Sequence, residues 1–257
     1  MPKLLEYELG NEVHAFSTMR AAGQSQDAYA HFNINPYCGD NPEHVAQNVN
    51  ALCHMLDIAP NNLVLPHQTH ETTVRLVASE LLSMPQMVRQ MVLEGVDALI
   101  TNVPGVCIGV STADCIPIIL YDAEHRATAA IHAGWRGTVK RIAQNTIAQM
   151  RTAFGTNPQS LRAIIGPGIS LHNFEVGNEV YEAFANAAFP MQEIAQRQEK
   201  WHINLPLCNQ MQLQEAGVKA ENIHATDICT YERCNDFFSA RRLGINSGRI
   251  FTGVTIS

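Results

Sequence analysis

The chain has 257 residues, 46% of them hydrophobic and 16% charged, with a formal net charge of −7. That is enough apolar material for a sizeable core, and the acidic balance argues against a nucleic-acid polymer as partner, because a phosphate backbone asks for a basic footprint. No apolar run approaches a membrane span, and the first residues, with Lys3, Glu6, Glu8 and Glu12, lack the apolar core of a secretory leader.

Seven cysteines without framework spacing suit a reduced, cytoplasmic protein. No repeat, low-complexity tract or linker interrupts the chain, so one domain over 1–257 is expected. In chain order, Asn41-Pro42-Glu43 reads as a helix start, with Asn41 as cap and Pro42 in the first turn. Val45, Val49, Leu52 and Leu56 continue it at helical spacing. Residues 63–77 read as a strand. Gln68, His70, Thr72, Val74 and Leu76 share one parity, which turns His70 toward the interior and His67 away from it.

Residues 97–132 read as closely spaced strands: DALITN, GVCIGVST, IPIILYD and ATAAIHAG. Pro104-Gly105 separates the first two, and a polar turn at 122–126 precedes the last. After Gly137 a helical stripe of Val139, Ile142, Ile147, Met150 and Phe154 runs to Gly155, a suitable C-cap. Further helices are expected over 178–189 and 206–216. Strands mixed with helices give a layered α/β or α+β domain.

Three segments place polar residues at the ends of apolar strands: PHQTH (66–70), STADC (111–115) and HAGWRG (132–137). His70, Cys115 and His132 offer two imidazoles and a thiolate, which are zinc ligand types, and three protein ligands leave one tetrahedral position open for chemistry. Their wide separation in sequence provides no spacing rule, so a buried core thiol with two satisfied histidines is the alternative. Asp114 is either a turn carboxylate or a carrier of protons beside this cluster. Arg136 opens a helix directly after His132, where backbone N–H groups and a cation would attract an anion.

Taken together, these segments resemble the YfiH/laccase-domain family, also called the multicopper polyphenol oxidase or purine nucleoside phosphorylase family. The matching stretches are STMR (17–20), HFNINPYCGDNPEHVAQN (31–48), HQTH (67–70), DALITNVPGVCIGVSTADCIPIILYD (97–122), AAIHAGWRGT (129–138), IGPGIS (165–170), FEVGNEV (174–180) and FFSARRLGINSGR (237–249). The resemblance implies a layered α/β/β/α domain with mixed sheets. It implies a metal trio of His70, Cys115 and His132 that holds zinc, with copper as the alternative. It implies phosphorolysis of adenosine, inosine, guanosine or methylthioadenosine to base and ribose 1-phosphate, with adenosine deamination as companion activity. Substrate or phosphate contacts are expected from Arg20, Asn33, Gln68, Arg136, Glu175 and Arg241, with Glu175 an alternative to Asp114 as proton carrier. No membrane partner is expected, and the oligomeric state is monomer or weak homo-oligomer. The chain departs from the family pattern at Ala21-Ala22-Gly23, Val49, Gly168 and Ala240.

Two other chemistries compete. Cys115 could serve as the nucleophile of an amidase that edits cytoplasmic peptidoglycan precursors, with a histidine as base. Copper-dependent phenol oxidation needs many histidine ligands, and the 11 histidines are scattered without ligand-like pairs.

Overall fold

The computed structural model describes residues 2–257. Strands from both ends of the chain and from its middle share one five-stranded sheet. Its members are β1 (Leu4–Tyr7), β2 (Val13–Thr18), β3 (Leu63–Val64), β6 (Cys107–Thr112) and β14 (Ile250–Ile256), in the spatial order β1-β2-β14-β6-β3. All its pairings are antiparallel except β3 with β6.

A six-stranded sheet packs against it, in the order β13-β9-β7-β8-β5-β4. It contains β4 (Val74–Leu76), β5 (Ala98–Thr101), β7 (Ile116–Asp122), β8 (Ala127–Ala133), β9 (Arg162–Ile165) and β13 (Ile223–Ala225). Only its outermost pairs, β13 with β9 and β4 with β5, are parallel. A small antiparallel sheet is formed by β10 (Glu175–Val176), β12 (Trp201–Ile203) and β11 (Ala195–Arg197).

Every residue of β7 and β8 is buried. This explains why they read as continuous apolar runs rather than alternating ones: both faces of the central strands are covered. One face contributes Ile119, Tyr121 and Ala130 to a core shared with Val64, Ile108, Val110 and Val254 of the other sheet. The opposite face contributes Ile118, Leu120, Ala129 and Ile131 to a core with Ile147 and Met150 of α5 (Ile142–Phe154) and Cys208 and Leu213 of α8 (Leu205–Glu215). Beyond the five-stranded sheet, Phe16, Cys107 and Phe251 pack on Leu52 of α1 (Pro42–Met55). The order of layers is helix, sheet, sheet, helix, as the resemblance implies.

The remaining helices are short: α2 (Ser79–Ser83), α3 (Gln86–Val92), α4 (Trp135–Val139), α6 (Asn178–Asn186), α7 (Met191–Ile194) and α9 (Ala240–Leu243). The expected cap of α1 is present, with Asn41 Oδ1 accepting from the Glu43 amide at 2.8 Å. Gly155 ends α5 at φ 79°, also as expected.

Two local expectations are corrected. The helix after Gly137 is two helices, α4 and α5, because Arg141 between them adopts a left-handed backbone at φ 64°. The strand expected over 63–77 is two short strands, β3 and β4, which lie in different sheets and are joined by a loop over 65–73. The alternation that separated His67 from His70 therefore does not govern them.

The chain crosses between the two large sheets twice in this region. It passes from β3 to β4 through the loop that carries His70, and from β6 to β7 through Ala113, Asp114 and Cys115. Both crossings open at the same end of the molecule.

Candidate active site

The register of β7 with β8 sets Ile116 opposite Ala133 and Pro117 opposite His132. One step further, Cys115 faces Gly134. A side chain at Gly134 would place its Cβ 3.1 Å from Cys115 Sγ and 2.8 Å from His70 Cδ2, so glycine leaves the room in which the two donors meet. His70 swings into that space from the 65–73 loop with a left-handed backbone, φ 64°. Cys115 Sγ and His70 Nε2 are 3.8 Å apart. The donor atoms of His70, Cys115 and His132 all lie within 4.8 Å of one another, the one such group of three or more among the described residues.

The arrangement is held from behind by Asp97, which sequence reasoning did not single out. Its carboxylate is fully buried and accepts from His132 Nδ1 at 2.7 Å. It also accepts from the main-chain N–H groups of Thr69, His70 and Glu71 at 3.3, 3.0 and 2.8 Å. Its main-chain carbonyl accepts from the His132 amide at 2.8 Å. One side chain therefore shapes the loop that carries His70 and orients the ring of His132. With Nδ1–H donated to Asp97, His132 presents Nε2 to the site.

Electrostatics follow from this packing. Burial works to raise the Asp97 pKa, but the His132 ring and the amides of Glu71 and Thr69 outweigh it and hold the carboxyl below its ordinary range. Burial also disfavours the Cys115 thiolate, yet His132 and His70 bring the thiol down to about 6. Burial opposes charge on His132 as well, and the Cys115 thiolate with Asp97 raises it to about 9. Each of the two groups thus favours the charged form of the other, with the Asp97 carboxylate behind them.

Tetrahedral zinc with nitrogen at about 2.0–2.1 Å and sulfur at about 2.3 Å needs donors roughly 3.3–3.6 Å apart. The trio needs only a small contraction to reach that spacing, and the Asp97–His132 bond is the usual support of a ligating imidazole. The residues present fit a divalent metal.

A cavity of about 160 Å³ opens over the trio, lined among others by Tyr37, Cys38, Gln68, Ser111, Thr112 and Arg249. Three other cavities are larger, about 250, 450 and 500 Å³, but none contains the trio. Chemistry rather than size marks the smaller one. His67 lines it too, stacked on Tyr37 with ring centroids 4.4 Å apart and bonded through Nδ1 to Glu94 at 2.8 Å. His67 and His70 thus share one cavity.

The other sequence-derived residues are dispersed. Gln68 lines the cavity, but its amide group is committed to the main chain of Ser111, donating to O at 2.8 Å and accepting from N at 2.7 Å. Asp114 accepts from Thr230 Oγ1 and from the Arg241 amide, both at 2.7 Å, and so ties α9 to the β6–β7 crossing. Arg241 itself lies with its guanidinium 5.7 Å from the Phe174 ring centroid. Asn33 is fully buried, donating to Asp40 at 2.8 Å and accepting from the Arg249 amide at 3.1 Å. Arg20 donates to the carbonyls of Ala30 at 2.5 Å and Cys234 at 2.7 Å. Arg136 is exposed and stacks on Trp135 at 4.2 Å. Glu175 pairs with Lys200 at 2.7 Å, and this contact holds its carboxyl below the ordinary value.

Arg249, Ser111, Thr112 and Tyr37 were not singled out from sequence. All four lie in stretches that carry the family resemblance, and that position was the only signal available for them.

A family model described as multi-copper polyphenol oxidoreductase laccase matches residues 14–257. A purine nucleoside phosphorylase of Bacteroides thetaiotaomicron is 48% identical over 249 residues, which cover 96% of this chain and 92% of the relative. Adenosine deaminase RL5, from an unknown prokaryotic organism, is 42% identical over 245 residues, covering 94% of this chain and 93% of the relative. Among solved structures, the Bacillus licheniformis hypothetical protein YfiH superposes with a TM-score of 0.93 at 26% identity, covering 100% of this chain and 97% of its own. YlmD from Geobacillus stearothermophilus does so with a TM-score of 0.88 at 25% identity, covering 95% and 92%.

Proposed function

This chain belongs to the YfiH/laccase-domain family, and from that premise we propose that it is a zinc-dependent purine nucleoside phosphorylase that also deaminates adenosine. The observation that carries the reading is the Asp97-backed His70–Cys115–His132 set at the floor of a cavity. Its substrates are adenosine, inosine, guanosine or methylthioadenosine, with phosphate as the co-substrate of glycosidic cleavage. The expected oligomeric state is monomer or weak homo-oligomer. All seven cysteines are unpaired, in keeping with a reducing, cytoplasmic setting. No helix among the described residues is long and apolar enough to cross a membrane.

When bound, zinc supplies Lewis acidity at one open coordination position. The chain's own residues do the rest. Asp97 fixes the tautomer of His132 and the course of the 65–73 loop. The stacked Tyr37–His67 pair at the rim offers a flat surface to a purine ring. Asp114 has both carboxylate oxygens engaged, and Glu175 is not among the residues lining the cavity. His67, oriented by Glu94, is the imidazole of the cavity outside the metal trio and takes the part of proton carrier.

The test is direct. Zinc-loaded protein incubated with inosine and phosphate yields hypoxanthine and ribose 1-phosphate, and Cys115→Ala lowers the rate by at least about 100-fold. A wild-type protein that carries one zinc per chain and releases no hypoxanthine defeats the reading.

A second reading has one observation in its favour: the lowered thiol of Cys115 beside His132 also suits a nucleophile of the amidase kind. A covalent acyl adduct on Cys115 in intact-mass spectra, formed by the metal-free protein, would favour it. The copper oxidase reading has less support, since the described residues supply a single three-donor group.

A further inference from the structure

We propose that the cavity wall formed by Arg249, Ser111 and Thr112 is an oxyanion subsite that holds the attacking phosphate; the assignment rests on the phosphorolytic reading above. Phosphorolysis needs a fixed cation close to the reacting carbon. Arg249 is the one lysine or arginine among the residues that line the cavity.

Arg249 is held in place with donors to spare. Nη1 donates to the carbonyls of Ser247 at 2.5 Å and Gly248 at 3.0 Å, and Nη2 donates to Ile245 at 2.9 Å. The main-chain N–H is fixed by Asn33 Oδ1 at 3.1 Å. A guanidinium carries about five N–H groups. Nε–H and one N–H of Nη2 therefore have no partner among the described residues, and such groups are what a tetrahedral oxyanion recruits.

The second observation is independent of charge. Ser111 and Thr112 are 5% and 1% exposed, and the hydroxyl of each has no hydrogen-bond partner among the described residues. Both residues line the same cavity as Arg249 at the end of β6, where an enclosed hydroxyl reaches a ligand by a rotation about its Cα–Cβ bond. Unpaired buried hydroxyls are costly and uncommon. Gln68 occupies both main-chain groups of Ser111, so the hydroxyl is that residue's remaining polar function, on a backbone that is clamped. Ribose hydroxyls could satisfy Ser111 and Thr112 but would leave the arginine unused. Phosphate can take the arginine N–H groups and recruit a hydroxyl that rotates toward it. The rival cations are engaged elsewhere: Arg20 on the carbonyls of Ala30 and Cys234, Arg136 on the face of Trp135.

In the reaction, an oxygen of phosphate held here bonds to C1′ as the bond from C1′ to the purine nitrogen breaks. The electron pair of that bond leaves on the purine, which takes up the proton lost by dihydrogen phosphate. The products are the neutral base and ribose 1-phosphate.

Calorimetric titration of the zinc-loaded protein with inorganic phosphate tests the subsite without any turnover. Ser111→Ala weakens phosphate binding about five- to tenfold while the melting temperature stays the same or rises, because an unpaired hydroxyl has been removed. A structural role for Ser111 would lower the melting temperature instead. Arg249→Gln weakens binding about 30-fold or more, and Arg249→Lys restores part of it. In turnover, both Ser111→Ala and Arg249→Gln raise KM for phosphate more than KM for inosine. Should wild type bind phosphate and the two variants lose it while no nucleoside is cleaved, the subsite stands and the phosphorolytic reading falls. Wild type that does not bind phosphate overturns the subsite, as do variants that bind it like wild type. So does loss of binding in Arg136→Gln with Arg249→Gln unaffected.

Discussion

Gly134 has a left-over volume that two ligands use. Its backbone is ordinary, φ −68° and ψ 168°, so alanine there meets no torsional strain, only the ring of His70 at 2.8 Å and the sulfur of Cys115 at 3.1 Å. We expect Gly134→Ala to keep its fold and lose zinc affinity by tenfold or more, read by competition with a chromogenic chelator. Asp97→Asn should act on the same property from the other side. It weakens the charge-assisted bond to His132 and disturbs three amides of the His70 loop, so zinc affinity falls by roughly 10- to 100-fold. The sequence showed His70, Cys115 and His132 as polar residues at the ends of apolar strands. It did not show Asp97, because a carboxylate opening an apolar strand becomes a support only after β5 and β8 have paired. Thiol chemistry adds a further residue-scale expectation. In metal-free protein iodoacetamide should label half-buried Cys115 first, and Cys208, whose thiol burial pushes up to about 12, should stay unlabelled until unfolding. Peptide mapping after a short exposure decides it.

At the scale of elements, the 65–73 loop shows where pattern reading stops. PHQTHETTV alternates well enough to imitate a strand, but its polar atoms are spent on neighbours in two sheets rather than on a ladder. Gln68 is the clearest case, since its amide stands in for a strand partner to Ser111. Gln68→Leu keeps volume and removes both bonds, leaving a main-chain N–H and C=O of β6 unpaired. A loss of about 1–3 kcal/mol in urea unfolding is expected, together with weaker zinc binding. The elements with strong local signals were legible: α1 from its Asn41 cap, β7 and β8 from unbroken apolar runs, α5 from its stripe and Gly155. The break between α4 and α5 was not, because it depends on a left-handed arginine, and no residue type announces one.

At the scale of the molecule, the layered arrangement expected from the resemblance is present, yet its closure depends on β14, whose partners β2 and β6 are remote in sequence. Local patterning cannot supply that pairing. The same sheet depends on Gly109, where a Cβ would lie 2.2 Å from the Phe251 ring. Gly109→Ala should therefore destabilise the protein by about 1–3 kcal/mol, visible as a lower melting temperature. The effect should be present with and without zinc, which separates it from the ligand-cradle variants.

His70 and Cys115 stand on segments that leave one sheet and enter the other, and His132 on a strand of the second, so an ion among them ties both crossings to β8. It works as a clasp as well as a reagent. Chelation should therefore quicken amide exchange first along the seam where the two sheets meet, while the buried middle of β7 and β8 keeps its protection until the whole structure opens.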